Sequence, residues 1–323
     1  MKAAFLLAPA ALLAALLAGC SRPAGPGTAA ARAAPAAAPV IAVENFLADI
    51  TRQVAGDRVE VRSLIPIGVD PHAYEPTPQD VAAVAGARLI VVNGAGLESF
   101  LSKLIQTAGQ DRPVLEASHG LASRTAREGE VLEGGTIAAG PSADPDPHFW
   151  LDPVMVVRYV QNIRDELSRI DPAGEKTYGA SADAYILKLR GLDAWIASEV
   201  AKIPAERREL VTNHETFGYF ADRYGFRIIG TIIPGVSSEA APTARQLARL
   251  IDGLKKAGAP AVFLDMGANP QLGQQVAREA GIPVVTELFT HSLTDAAGPA
   301  PTYLDLMRYD VTTIVTALTG GAS

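Results

Sequence analysis

Histidine is the residue type in this sequence that is best suited to binding chemistry. The chain of 323 residues has five histidines, and four of them are separated by 76, 66 and 77 residues: His72, His148, His214 and His291. Neutral imidazole is the commonest metal ligand in proteins, and three or four imidazoles suit a cation such as Zn²⁺. The single cysteine, Cys20, excludes both a cluster of thiolate ligands and an intramolecular disulfide. A metal site in this chain must therefore use histidines and carboxylates.

Parallel strands that alternate with helices are the elements that would bring these histidines together. Apolar runs predict strands at 40–43, 59–65, 89–93, 210–213, 227–230, 261–264 and 283–285. Helical patterns at 77–85 and 243–257 lie between strands, and this alternation implies parallel pairing. Each of the four histidines ends a predicted strand or lies in the loop after it. Because ligands bind beyond the carboxyl ends of parallel strands, the four side chains can converge there.

A long helical pattern divides the folded region into two parts. Apolar side chains recur at steps of three or four between 172 and 203, and Pro204 follows. A helix of about 25 residues spans about 38 Å, so it can connect two lobes. We predict an α/β fold of two lobes, each with a parallel sheet, joined by this helix. The predicted bounds are 40–172 for the N-terminal lobe, 173–204 for the connecting helix and 205–323 for the C-terminal lobe.

The N-terminal segment indicates export. Lys2 precedes an apolar run over 3–18, and small residues lead to Cys20. The run is shorter than a membrane span of about 20 residues, so we predict a signal peptide over 1–19. The pattern resembles the bacterial lipobox, which implies lipid attachment at Cys20, and an ordinary cleaved signal is the alternative. Residues 20–39, rich in Ala, Pro and Gly, predict a flexible tether.

The overall composition limits the classes of partner. A hydrophobic content of 48% is too high for a chain that is mainly disordered. The formal charge is −7 at pH 7, which argues against nucleic acid as a partner, because such proteins neutralise phosphates with a basic surface. A net negative charge is instead compatible with binding a cation.

Motifs around three of the histidines resemble the signature segments of the zinc and manganese ABC-transporter solute-binding lipoproteins. They are DPHAYEPTP over 70–78, DPHFWLDP over 146–153 and HETFGYFA over 214–221, with further similar segments at 93–98, 235–239 and 302–307. The resemblance implies a single divalent cation bound between two lobes and delivered to the membrane permease of an ABC importer, without enzymatic activity. It also implies a lipid-anchored protein facing the periplasm or the cell surface, and we expect a monomer.

The resemblance also implies which residues bind the metal. His72 and His148 would come from the N-terminal lobe and His214 from the C-terminal lobe. Zinc-handling members have His at the position of His214, where manganese-handling members commonly have Glu, so Zn²⁺ is the predicted cargo and Mn²⁺ the alternative. The family has an Asp where this chain has His291, which is the predicted fourth ligand, with Asp295 or water as alternatives. Metal affinity is expected to fall below about pH 6.5.

Neighbouring residues are assigned structural roles. His119 lies outside any metal motif and is predicted to be a surface or capping residue. Phe149 and Trp150 are predicted to pack in the core or beside the ligands. Asp152, before a proline, is predicted to cap a helix, and orienting a ligand ring is its alternative role. The segment 124–146 is predicted to be a surface loop and contains no histidine, so we expect it not to collect metal.

Two other classes of protein would use some of the same residues. A secreted zinc hydrolase also uses three histidines, but it needs an open fourth position and a general base, and His291 would fill that position. The pair His214-Glu215 lacks the second histidine of the HExxH motif, because residue 218 is Gly. An adhesin of the same fold would hold the metal structurally.

Overall fold

The computed structural model describes most of the chain beyond the N-terminal segment. The described ranges are 38–109, 112–124, 131–132, 136–137, 145–239, 241–266 and 270–320. The predicted signal peptide over 1–19, Cys20 and all but the last two residues of the predicted tether lie outside them, as does most of the loop predicted over 124–146. Within the described ranges, none of the helices combines the length and the apolar character that crossing a membrane requires.

The N-terminal lobe is built on a parallel sheet. Its strands are β1 (Val40–Ala42), β2 (Val61–Ser63), β3 (Leu89–Val92) and β4 (Val114–Glu116), accompanied by helices α1 (Asn45–Ala55), α2 (Pro78–Gly86) and α3 (Leu101–Ala108). The strand order is β2-β1-β3-β4, and every pairing is parallel. Strands β1 and β3 are fully buried, as continuous apolar runs are when helices cover both faces of a sheet.

Two helices lead from this lobe to the second one. They are α4 (Pro153–Ile170) and α5 (Glu175–Val200), and a short antiparallel pair, β5 (Val131–Leu132) and β6 (Thr136–Ile137), precedes them in the chain. Helix α5 has 26 residues, which corresponds to about 39 Å. Its buried positions include the apolar series from Tyr178 to Ile196 that predicted the connecting helix. It packs against α4 and α1.

The C-terminal lobe repeats the architecture of the first. Its strands are β7 (Glu209–Thr212), β8 (Arg227–Thr231), β9 (Val262–Asp265) and β10 (Val284–Leu288), with helices α6 (Gly218–Tyr224), α7 (Ala244–Ala257) and α8 (Pro270–Ala280). The strand order is β10-β9-β7-β8, again parallel throughout. A last helix, α9 (Tyr303–Thr319), packs against α5. The predicted fold class, two parallel-sheet lobes joined by a long helix, is confirmed.

Local capping signals in the sequence determine where several helices begin. Thr77 and Asp80 form a capping box at the start of α2, with Pro78 as the first helical residue. Asp152 accepts a hydrogen bond from the backbone N–H of Val154 at the start of α4, so its predicted role as a helix cap is confirmed.

The largest apolar core is shared by both lobes. It combines buried residues of β1 and β3 with those of α4, α5 and α9 and with aromatic side chains of α6. Smaller apolar clusters cover the opposite face of each sheet. Because one continuous core joins the lobes, large separation of the two sheets would expose apolar surface at considerable cost. The fold therefore favours small lobe movements.

Candidate metal centre

Three of the four predicted ligands follow parallel strands. His72 lies in a short 3₁₀ turn after β2, His214 follows β7 by two residues, and His291 follows β10 by three. The expectation that His148 also follows a strand of a parallel sheet is wrong. Its loop is instead held at the sheet edge by Asn93, directly after β3, whose side-chain amide donates to the carbonyl oxygen of Pro147 at 2.9 Å.

The four imidazole rings converge between the two lobes. Every pair of rings has a centroid distance of 5.0–5.3 Å, and the four candidate ligand atoms lie within 4.8 Å of one another. His72 Nε2 is 3.2 Å from His148 Nε2. Two nitrogens bound tetrahedrally to one zinc ion are about 3.3–3.4 Å apart. The cluster therefore has the dimensions of a metal site.

In two of the histidines, the ring nitrogen that points away from the cluster, here called the outer nitrogen, makes a hydrogen bond. This bond indicates which of the two ring nitrogens carries the proton. Nδ1 of His148 donates to Asp146 Oδ1 at 2.8 Å, so the lone pair of Nε2 faces the cluster. Nε2 of His214 lies 2.9 Å from Thr216 Oγ1, and the Thr216 hydroxyl donates to the His214 carbonyl oxygen at 3.5 Å, so we infer that Nε2 is the donor and that the lone pair of this ring is on Nδ1. Such partners on the far side of a ligand ring orient it and select its tautomer.

His291 is oriented in the same way by residues of the C-terminal lobe. Its Nδ1 donates to Thr290 Oγ1 at 2.7 Å, and the Thr290 hydroxyl donates to the Asp265 carboxylate. His291 Nε2 and His214 Nδ1 are buried and have no hydrogen-bond partner among the described residues. Buried polar atoms are rarely left without a partner, and a bound cation satisfies both of these lone pairs.

Burial keeps the imidazoles in the form that binds metal. It lowers the pKa of all four: His72, His148, His214 and His291. The neighbouring imidazoles lower the pKa of the last three further, because adjacent positive charges repel. Burial also raises the pKa of the Asp146 and Asp265 carboxyls to about 7. A bound cation offsets the cost of burying these carboxylates.

The structure also shows the surroundings of the residues near the histidine motifs that were not predicted as the preferred metal ligands. His119 is exposed and is not part of the cluster. Asp295, the alternative to His291, is also exposed, and its Oδ1 accepts from the backbone N–H of Ala297 at 3.0 Å. Phe149 and Trp150 are buried in the shared core, where Trp150 lies 5.1 Å from the ring of His148.

Sequence reasoning missed the partners Asp146, Thr216, Thr290 and Asp265. One signal was available, because Asp-Pro-His occurs at both 70–72 and 146–148. In each motif the Asp side chain accepts a hydrogen bond from the backbone N–H of the His, at 2.9 and 3.0 Å. The repeated motif therefore marks a turn that presents a histidine. The threonines carry no comparable signal.

The cluster opens to solvent on the side of His72. A cavity of about 270 Å³ lies there between the lobes, lined by His72, Ala95 and Leu97 of the first lobe and by Ser237 and Glu239 of the second. His72 is only partly buried, unlike the other three imidazoles. The cavity therefore gives a cation access to the cluster past His72.

Two parallel-sheet lobes, a long connecting helix and a buried cluster of metal-ligating side chains between the lobes define the class of metal-binding solute-binding proteins. The chain belongs to the family described as zinc-uptake complex component A, periplasmic (ZnuA), whose family model matches residues 40–317. It is thus a substrate-binding component of an ABC metal transporter.

Individual relatives support this assignment. The chain is 35% identical over 274 residues to the manganese-binding lipoprotein MntA of Halalkalibacterium halodurans, covering 85% of this chain and 86% of that protein. It is 32% identical over 275 residues to the iron-binding protein YfeA of Yersinia pestis, covering 85% and 84%. The periplasmic zinc-binding protein TroA of Treponema pallidum superposes with a TM-score of 0.77 at 27% identity, over 86% of this chain and 98% of TroA.

Proposed function

We propose that this protein captures Zn²⁺ at the centre formed by His72, His148, His214 and His291 and delivers it to the membrane permease of an ABC importer. The observation that carries the proposal is the convergence of four imidazoles, three of which have their outer nitrogens occupied. A mainly imidazole site suits zinc better than harder ions. TroA, which has the same fold, is a zinc-binding protein.

Mn²⁺ is the second candidate. The relative MntA is described as manganese-binding, and the carboxylates of Asp146 and Asp265 border the histidine cluster. Oxygen ligands favour manganese, whereas a complete shell of imidazoles favours zinc. The choice between the two ions therefore depends on how many oxygen ligands take part.

Capture and release require no bond to be made or broken in a substrate. A cation that enters through the cavity beside His72 would exchange its bound waters for the imidazole nitrogens and release those waters to solvent. Docking on the permease then moves the lobes slightly apart, which withdraws His214 from the ligands of the first lobe. Lipid attachment at Cys20 holds the monomeric protein to the membrane on the periplasmic or outer side, near the permease.

Zinc uptake by cells tests this function. Cells that express the wild-type protein from its own locus are depleted of zinc, and the accumulation of ⁶⁵Zn is followed in the wild type and in His148→Ala. We expect His148→Ala to lose uptake at low zinc while the protein remains present in the envelope. His119→Ala is the matched control, because this histidine lies outside the cluster. Equal uptake in all three strains would contradict the proposal.

A further inference from the structure

The residues after His291 cross from the C-terminal lobe onto helix α1 of the N-terminal lobe. We propose that Asn45, the first residue of α1, is a positioning residue of the metal centre, because its side chain fixes this crossing segment and with it His291. The inference rests on the proposed function, since it concerns a ligand of the same centre. Asn45 itself belongs to none of the histidine motifs.

Both ends of the Asn45 amide bind the segment after His291. Its Nδ2 donates to Ser292 Oγ at 3.1 Å, and its Oδ1 accepts from the backbone N–H of Leu293 at 2.7 Å. Both bonds are buried. Because the N–H of Leu293 can only donate, the amide oxygen must face it and the NH₂ group must face Ser292. An apolar side chain loses both bonds, and a carboxylate loses the donor.

Ser292 extends this connection to the segment before His72. Its Oγ accepts from the backbone N–H of Gly68 at 2.7 Å, and Asn45 Nδ2 also donates to the carbonyl oxygen of Pro66 at 3.4 Å. Pro66 and Gly68 lie in the loop between β2 and His72. The loops that carry two of the predicted ligands, one from each lobe, are thus joined at Asn45.

A second bond holds the far end of the crossing segment on the same helix. Asp49 Oδ2 accepts from the backbone N–H of Tyr303 at 2.9 Å. Asp49 follows Asn45 by four residues, so both side chains lie on the same face of α1. The segment 292–303 is therefore bonded at both ends to a helix of the N-terminal lobe.

His214, the other ligand from the C-terminal lobe, is held in a different way. Its carbonyl oxygen accepts from Thr212 Oγ1 at 2.7 Å, and its Nε2 lies 2.9 Å from Thr216 Oγ1. Both threonines belong to the C-terminal lobe. Loss of the Asn45 side chain should therefore displace His291 and leave His214 in place.

The displacement follows from the cost of an unpaired buried group. Without the Asn45 side chain, the buried N–H of Leu293 has lost its acceptor, and the segment is expected to shift until this group finds another one. His291 lies two residues earlier, so the shift moves its Nε2 away from the other ligand atoms. Loss of a residue that supports a metal ligand typically weakens metal binding by 10-fold or more.

A double-mutant cycle tests the proposal on the full-length chain in detergent after removal of bound metal. Competition titration gives the Zn²⁺ dissociation constant with and without Asn45→Ala in three backgrounds: the wild type, His291→Ala and His214→Ala. Thermal unfolding of each metal-free protein shows that it is folded. A loss of stability alone would weaken zinc binding by the same factor in every background, whereas a residue that acts through His291 has no further effect once that imidazole is removed.

The matched control is Asn162→Ala. Asn162 Nδ2 donates to the carbonyl oxygens of Ala117 and His119 at 2.8 and 2.9 Å, and all three residues belong to the N-terminal lobe. This variant also loses two hydrogen bonds of an amide side chain, but neither bond reaches a segment that carries a predicted ligand. We expect it to bind zinc as the wild type does, and a loss equal to that of Asn45→Ala would overturn the proposal.

We expect Asn45→Ala to weaken zinc binding by about 10-fold in the wild-type and His214→Ala backgrounds, and by less than about 3-fold in the His291→Ala background. Equal factors in the His291→Ala and His214→Ala backgrounds, or no change in the wild-type background, would overturn the proposal. If Asn45→Ala does not fold, Asn45→Asp takes its place, because it keeps the acceptor for Leu293 and loses only the donor. It should weaken zinc binding by about 3-fold, again only where His291 is present. A wild-type protein that binds no zinc would refute the proposed function and this inference with it.

Discussion

Trp150 Nε1 donates a hydrogen bond to the carbonyl oxygen of Thr290, 2.7 Å away, and both residues are buried. Trp150 follows His148 by two residues, and Thr290 directly precedes His291. The bond therefore joins the segments that carry two predicted ligands from opposite halves of the chain. The centroid of the Trp150 indole ring lies 5.1 Å from that of the His148 ring and 5.5 Å from that of the His291 ring. The spacing of these two ligands is fixed before any cation arrives.

Replacement of Trp150 should therefore disturb both stability and metal binding. Trp150→Phe leaves the buried Thr290 carbonyl without its donor, which costs about 1–3 kcal/mol of unfolding free energy. We expect a lower melting temperature and a zinc affinity reduced by about 10-fold, as for loss of other residues that support ligands. Chemical denaturation and competition titration measure the two effects. The control is Trp195→Phe, since Trp195 is only partly buried and stacks with Arg308; similar losses in both variants would contradict this account.

A hydrogen bond across the cavity should control how fast the metal leaves. Ser238 Oγ donates to Asp70 Oδ2, and Asp70 Oδ1 accepts from the backbone N–H of His72 at 2.9 Å. Ser238→Ala removes this link between the lobes, and we expect about 3–10-fold faster zinc dissociation, since a hydrogen bond to a charged group contributes about 1.5–3 kcal/mol and some of this is recovered by water. Stopped-flow mixing with excess chelator measures the rate.

The adjacent serine provides the matched control for that experiment. Ser237 Oγ accepts from the backbone N–H of Glu239 within the same loop and, among the described residues, makes no hydrogen bond to the first lobe. Ser237→Ala should release zinc at the wild-type rate. Equal dissociation rates for Ser238→Ala and Ser237→Ala would show that the Ser238–Asp70 bond does not limit release.

A buried pair of carboxyls in the first lobe should make stability depend on pH. Burial raises the pKa of Glu44 well above its usual value, and the neighbouring Glu98 raises it further. The folded state therefore holds a proton that the unfolded chain loses above about pH 4.5, so stability declines as pH rises toward the folded-state pKa. We expect Glu44→Gln to remove this decline and to stabilise the protein more at pH 8 than at pH 5. Chemical denaturation at both pH values tests it, and an equal effect at the two values would contradict the assignment.

Bound zinc should stabilise the folded protein. Free zinc at 100 times the dissociation constant adds about 2.7 kcal/mol, provided the unfolded chain binds none. For a domain of this size, we expect a rise in melting temperature of about 5–10 °C that a chelator reverses. His148→Ala should lose the rise while His119→Ala retains it. A rise of the same size in both variants would locate zinc binding elsewhere in the chain.

The sequence predicted the fold class and the four converging histidines because both depend on local signals. Continuous apolar runs mark the buried strands, and the motifs around the histidines are short. Strand β4 was missed because it is brief and Val114 is 42% exposed, so it lacks an apolar run. Helix α1 was missed because Glu44, at its N-terminus, makes no capping hydrogen bond.

The supporting partners of the ligands depend on packing that local patterns do not encode. Asp265 reaches His214 only because β9 lies beside β7, and the order of strands in a sheet is set by the whole chain. Trp150 donates a hydrogen bond to Thr290, which lies 140 residues further along the chain. Such contacts follow from tertiary structure, so a motif search finds the histidines without the residues that orient them.

Zinc titration of the wild-type protein and of His291→Ala distinguishes a four-histidine centre from one that is completed by Asp295 or water. We expect one tightly bound Zn²⁺ per chain, preferred over Mn²⁺, and a zinc affinity at least about 10-fold weaker in His291→Ala. Zinc affinity that is unchanged in His291→Ala, or a wild-type protein that prefers Mn²⁺ to Zn²⁺, would contradict this expectation.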